Sequence, residues 1–522
     1  MVFERRADPS LFVVSPRPGR PGFGQPAAGA GDEVSPSPRD LPPGENTFTV
    51  TDFESSDLEA AELGLGALPP TRTGTLFVGL IAFGITVFAN RLFDHRFVAR
   101  GSVVAFAILC TAMIARRLAP RHPDEPWLAR MLVWGVVAKL IASILRYRTL
   151  SDTYGNVGDA PIYDRFGRRF VKFWTGEGPE PFLVDLRKSN FVRYFTGIVY
   201  YLFGTDMIAG FMVFGLIAFV GSYLWYRAAT VAIPFIDRRL WLFVLLFAPS
   251  ILFWPSSIGK EALMQFGIGS AALGTALIMT GRLTRGVAVA APGAWLLWVV
   301  RPHLLGLVSF AAAVAYVIGR RGRPADGSSS FWKPVGVVVL VVVAFFGIGQ
   351  GAKGLGIQSL SLDSINAELE ETSESTGQGG SSFDPGDTSI SPASLPRGML
   401  TVFFRPFPWE VESAVQVLAA LECVALLAFV VHRRRSVLMS LRSLRRYPFL
   451  LYCWTLTFLY ALTFQAFANF GLLVRQRSLV LPALYVIVCL HAERGERRSP
   501  FDGWPPASTE DAYGAAPYGY RE

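Results

Sequence analysis

Four short polar runs interrupt otherwise apolar sequence: PSILFWPSSIGKE (249–261), VVRPH (299–303), FFRPFPWE (403–410) and NFGLLVRQR (469–477). They carry the cations Lys260, Arg301, Arg405, Arg475 and Arg477, with Ser256, Ser257, Glu261 and Glu410 beside them. Charges set next to long apolar stretches are expensive and usually face a cavity or a partner. A guanidinium fork binds phosphate oxygens bidentately, so the phosphate or pyrophosphate of a membrane lipid is a chemically matched anion. The plainer alternative is that the cations snorkel to an interface or pair with Glu261, Glu410 and Glu412.

Other residues offer proton chemistry. In GDAPIYDRFGRR (158–169), Asp159 and Asp164 stand among Tyr163, Arg165, Arg168 and Arg169. A carboxylate beside a basic surface can accept a proton from a sugar hydroxyl or coordinate a divalent ion, or simply be solvated. His303, one of five histidines, follows Arg301-Pro302 and is either a base or phosphate donor, or a structural residue at a helix end. Pro255 and Gly259 bracket Ser256 and Ser257, which predicts that one helix ends there. Lys260 and Glu261 then fall on the first turn of the next helix, whose amides favour an anion. GGSSFDP (379–385) reads as an ordered turn or a linker. Gly-rich phosphate loops of the Walker type are absent.

The elements that must position these residues follow from composition. Of 522 residues, 51% are hydrophobic and 17% charged, against about 25% charged in soluble chains, and mean hydropathy is +0.37. Apolar stretches long enough to cross a hydrocarbon layer of about 30 Å recur along the chain. They predict an all-α polytopic transmembrane helical bundle of about 12 spans: 75–93, 101–115, 127–145, 206–226, 239–255, 261–281, 284–300, 303–319, 331–350, 411–431, 447–469 and 475–491. With the N-terminus inside, every inside loop is basic, as the positive-inside bias requires. That orientation leaves two long non-cytoplasmic loops, about 147–205 and 351–410, and both termini cytoplasmic in a multi-pass protein of the cytoplasmic membrane. Within the first loop, FVRYFTGIVYYLFG (191–204) is amphipathic enough to lie along a membrane surface.

Residues 1–72 and 493–522, rich in Pro and Gly, read as disordered tails flanking a membrane domain over 73–492. Much of the net charge of +9 is accounted for by cytoplasmic Lys and Arg, and it does not imply a nucleic-acid partner. The four cysteines, Cys110, Cys423, Cys453 and Cys489, lie in apolar sequence without metal-site spacing and read as small buried hydrophobes.

The set GDAPIYDRFGRRF, FVRYFTGIVYYLFG, FWPSSIGKEAL, RPH, FRPFPWE and RQR resembles actinobacterial polytopic membrane proteins of the GT-C glycosyltransferase type and the O-antigen-polymerase-like polysaccharide polymerases. The resemblance covers about 147–480. It implies transfer from a polyprenyl-phosphate-linked sugar donor to a glycan or lipid acceptor at the outer face. GT-C enzymes use an acidic residue of an early outside loop as base, which Asp159 matches best and Asp164 next. The polymerases instead lean on outer-face arginines and a histidine, a role open to Arg301, His303, Arg405 and Arg475. A transporter or flippase for a lipid-linked or anionic substrate is the alternative; its polar residues belong near the bilayer midplane. Lys139, Gln265, Gln416, Glu422, Gln465 and Asn469 are the candidates there. A scaffold subunit of an envelope assembly leaves the cation clusters unexplained.

Overall fold

A computed structural model describes residues 96–118, 125–183, 185–319, 362–377, 381–389, 391 and 394–491. The expected spans 75–93 and 331–350 and the two tails fall outside these residues. Among the described residues the protein is helical, with no β-strand. Helix α1 is Arg96–Leu118, and α2 is Pro126–Arg148, extended by a π-turn, Thr149–Thr153. Within 147–205, expected as a long outside loop with an amphipathic segment at 191–204, come two helices, α3 (Asp159–Trp174) and α4 (Lys188–Phe203). Then follow α5 (Met207–Ala232), α6 (Arg238–Phe247), α7 (Pro249–Phe253), α8 (Lys260–Met279), α9 (Leu283–Val300) and α10 (Pro302–Ile318). After α11 (Leu362–Thr376) and α12 (Ser394–Phe404) come α13 (Ala414–His432), α14 (Arg434–Arg442), α15 (Pro448–Phe464), α16 (Phe470–Arg477) and α17 (Leu481–Val488).

Four of these, α2 with its π-turn, α5, α8 and α9, are long and apolar enough to cross a membrane. At 1.5 Å per residue, the 26 residues of α5 reach about 39 Å. The pairs α13/α14 and α16/α17, bent by 62° and 58°, raise the number to six if each pair is one span. Shorter apolar helices occur at Ala99–Thr111, α10 and α15.

Two expected spans are not straight. Residues 239–255 divide into α6 and α7 because Pro249 forces Ala248 out of helical geometry, to ψ 126°. The amide end of α7 that this exposes is held by Glu422, which accepts from the Ser250 backbone N–H at 2.8 Å and from its hydroxyl. Lys139 donates to the Ile251 and Leu252 carbonyls at the other end, at 2.8 and 3.0 Å. The stretch expected to span over 475–491 falls on α16 and α17, which begin at Phe470 and are bent by 58° to each other. Elsewhere Arg100 forms a two-point ion pair with Asp206 at 3.0 Å, and Asp206 also caps α5 by accepting from Ala209 N–H.

At the centre, α8 packs along both α5 and α9. Lipid tails are as apolar as leucine, so close helix association in a membrane rests on small residues that let backbones meet. A Cβ on Gly269 would strike the Gly221 carbonyl, and one on Gly221 would lie 2.5 Å from the carbonyl oxygen of Gln265. On the other side, Gly293 approaches the Gly267 carbonyl just as closely. The first loop's α4 does not stand apart: Phe191 meets Trp295 of α9 and Phe195 meets Phe214 of α5, with ring centroids 5.4 and 5.6 Å apart. Cys423, Cys453 and Cys489 are buried.

Gly269→Leu, which overpacks this backbone contact, is expected to lower stability by about 1–3 kcal/mol. Gly101→Ala, where an added Cβ meets nothing within 4 Å, should be neutral or slightly stabilising. Thermal unfolding of the two purified variants in detergent checks the difference, and equal melting would remove the glycine contact as a determinant of packing.

Candidate functional site

The break that Pro255 and Gly259 impose is present: α7 ends at Phe253 and α8 begins at Lys260. Glu261 therefore sits in the first turn of α8, where exposed amides favour a carboxylate. It is 2% exposed, and two arginines hold it. Arg475 grips it through Nε to Oε1 at 2.8 Å and Nη2 to Oε2 at 2.9 Å. From the other side Arg301 Nη2 reaches Oε1 at 2.8 Å, while Arg301 Nη1 donates to Gln476 Oε1 at 2.6 Å. Pro302 ends α9 at Val300 and so leaves Arg301 at the junction with α10.

A second carboxylate joins from α3. Gly158, at φ 139°, turns the chain into that helix and sets Asp159 at its first position. Asp159 Oδ2 lies 3.4 Å from Arg475 Nη2 and its side chain is 50% exposed, so this contact is the weakest in the set. One helical turn on, Tyr163 is buried. Burial first, then the Asp159 charge, push its hydroxyl up to about 12, so it stays protonated at neutral pH.

Of these groups, Asp159, Glu261 and Arg475 border a cavity of about 530 Å³. Asp159, Ser257, Glu261, Arg475 and Asn469 supply polar wall, and Leu150, Phe211, Trp254, Ile258 and Leu472 apolar wall. Arg146 also lines it, a residue that the sequence reading passed over. Its guanidinium lies over the rings of Trp254 at 4.9 Å and Phe253 at 5.3 Å. Nε and Nη1 are buried without a hydrogen-bond partner. A cation–π contact contributes about 0.5–2 kcal/mol, whereas each buried donor left unpaired costs about 1–3 kcal/mol. The aromatic cage therefore does not fully compensate this cation. The available cue was the one that singled out the other arginines, since Arg146 directly follows the apolar stretch 127–145.

The expected site residues divide into two groups. Asp159, Glu261, Arg301 and Arg475 form one continuous charged chain, and Ser257 faces the same cavity. Ser256 is buried and donates to the Leu252 carbonyl at 2.6 Å. Lys260 and His303 are half-buried and do not line the cavity. Asp164 does not join them, because Tyr200 Oη donates to it at 2.5 Å and Arg168 Nε to both of its oxygens at 3.0–3.1 Å. Arg405 is likewise held apart by Glu410, with Nε 2.9 Å from Oε1, and it stacks on Phe383 at 4.2 Å.

Arg477 is separated from Arg475 by helix geometry. Residues two apart on a helix point about 200° away from each other. Arg477 is fully buried and donates through Nη1 to the Arg405 carbonyl at 2.8 Å and to Cys423 Sγ at 2.9 Å. Glu422 lies 3.7 Å from its Nη2. The segment from Ser381 is ordered against α16: Phe383 stacks on Phe470 at 4.2 Å, and Ser381 donates to Asn469 Oδ1 at 2.8 Å. Among the described residues no group of three His, Cys, Asp or Glu side chains is arranged to hold a metal ion.

Glu261→Gln would leave Arg301 and Arg475 facing each other without their shared anion. Removing one member of a buried ion pair costs about 3–5 kcal/mol, so a large drop in melting temperature is expected in detergent. Unchanged melting would show that the two arginines are satisfied without this carboxylate.

No protein-family model, curated protein or solved structure matches this chain.

Proposed function

We propose that the protein is a membrane glycosyltransferase or polysaccharide polymerase. In this reading it uses a polyprenyl-phosphate-linked sugar donor at the outer face of the cytoplasmic membrane, within a bundle of about twelve spans with both termini cytoplasmic. One observation carries the reading: Asp159, Arg475, Glu261 and Arg301, drawn from distant parts of the sequence, meet beside a largely apolar cavity of about 530 Å³.

The donor phosphate binds against the cavity cations. Arg475 is fixed by its tight contacts to Glu261, so its orientation does not depend on substrate. The weaker, 3.4 Å contact to Asp159 is the one an incoming phosphate displaces. Asp159 is thereby released from its cationic partner and free to face the acceptor. In the transfer step the acceptor hydroxyl oxygen forms a bond to the anomeric carbon and the bond from that carbon to the phosphate oxygen breaks. Asp159 takes the hydroxyl proton, and the negative charge that develops on the departing lipid phosphate is stabilised by the arginines already in place.

The transporter reading is less well supported. A transporter collects its polar groups at a midplane site, whereas here four of the six candidates stabilise helix ends, Gln265 and Gln465 being the exceptions. Lys139 and Glu422 hold the two ends of α7. Gln416 caps α13 and Asn469 caps α16.

Asp159→Asn is expected to lower turnover by about 10²- to 10⁴-fold, with donor binding retained, in a reconstituted assay with radiolabelled polyprenyl phosphosugars. Unchanged turnover would remove Asp159 as the base. Net movement of the lipid-linked substrate across the bilayer without any transfer, by the wild type, would favour the transporter. Orientation is tested by a single cysteine at the exposed position Ser382, which an impermeant thiol reagent should label in intact cells.

A further inference from the structure

We infer that Arg146 is the residue that receives the anion in this cavity, and that the ligand it takes is the phosphate ester of a membrane lipid. This rests on the reading of the cavity as a lipid-phosphate site and assigns the contact within it. Of the two cations in the cavity wall, Arg475 already has two carboxylate partners, Glu261 and Asp159. Among the described residues Arg146 forms no ion pair, feels Glu261 only at longer range, and keeps Nε and Nη1 buried without a hydrogen bond. A buried guanidinium in that condition lacks the oxygen acceptors that phosphate supplies.

Its aromatic surroundings fix where those donors can be used. Trp254 and Phe253 lie within 4.9–5.3 Å of the guanidinium carbon, and Tyr154 at 6.0 Å. These ring contacts supply no oxygen acceptor, so the N–H groups remain for an anion. Arg475 shares the cavity wall with its two carboxylate partners, Asp159 and Glu261, so Arg146 is the wall's cation outside those ion pairs.

The cavity wall separates a lipid ester from free phosphate. Besides the apolar residues already named, Val157 and Tyr154 line it, and they are 77% and 39% exposed. An anion site with an exposed apolar rim fits an amphiphile, whose chain continues over the rim while its phosphate sits at Arg146.

The test measures saturable binding of a radiolabelled polyprenyl monophosphate to the full-length protein in detergent. Decyl phosphate should displace the probe, while decanol and inorganic phosphate at the same concentration should not. Arg146→Gln should weaken binding at least tenfold. Arg146→Lys, which keeps the charge but loses the planar fork, should weaken it severalfold and serves if the Gln variant does not fold. Arg282→Gln, an exposed cation at the other end of α8, should bind as the wild type does.

Wild-type affinity in both Arg146 variants would overturn the assignment, as would a wild type that does not bind the probe. Displacement by inorganic phosphate as effective as by decyl phosphate would overturn the lipid ester. Arg146-dependent binding in a protein that transfers no sugar would sustain this inference while the transferase reading falls.

Discussion

The Glu261 carboxylate, held between Arg301 and Arg475, is the interaction on which the arrangement of the site depends. Removing a carboxylate and two guanidinium groups from water costs several kcal/mol per ion. Geometry of this quality is what offsets it: contacts of 2.8–2.9 Å, two of them from one arginine. The carboxylate belongs to the first turn of α8, Arg301 to the α9–α10 junction and Arg475 to α16. Three separate breaks in the helical bundle are thereby brought to one point. Asp159 enters through Arg475 alone, which makes it the adjustable member of the set.

That point is only as well fixed as α8, and α8 is placed by backbone contact. Gly221 with Gly269 on one side and Gly267 with Gly293 on the other bring three helices closer than any side chain would allow. Directional, saturated charge contacts are then superimposed on a scaffold set by van der Waals packing. The same economy applies at the broken helix α7, whose ends are satisfied by Glu422 and Lys139 rather than by water.

Arginines in this protein perform two different tasks, distinguished by their partners. Arg477 donates through Nη1 to carbonyls and a thiol, lies 3.7 Å from a carboxylate and keeps Nε and Nη2 buried without a hydrogen bond, while Arg405 is held by Glu410 and an aromatic face. Both hold chain segments together. Arg146 and Arg475 face open space with aromatic and apolar walls, an environment of low polarity in which a charge acts strongly on a bound anion.

Several features were determined by the sequence on its own. Apolar stretches free of charge dictate helices able to cross a bilayer, because backbone groups in such a setting must be satisfied within the segment. Pro255 and Gly259 dictate the break before Lys260, since a proline lacks the amide that a helix needs. The pairing of Arg405 with Glu410 is local, five residues apart, and within reach of a sequence reading. Convergence could not be read in this way. Asp159 and Arg475 lie 316 positions apart, and nothing in their spacing distinguishes that pair from Asp164 with Arg477. Only the packing of α3 and α16 around the start of α8 decided it. Helix rotation carries Arg475 to the cavity and Arg477 into the core, and aromatic packing leaves Arg146 beside the cavity with no anion of its own.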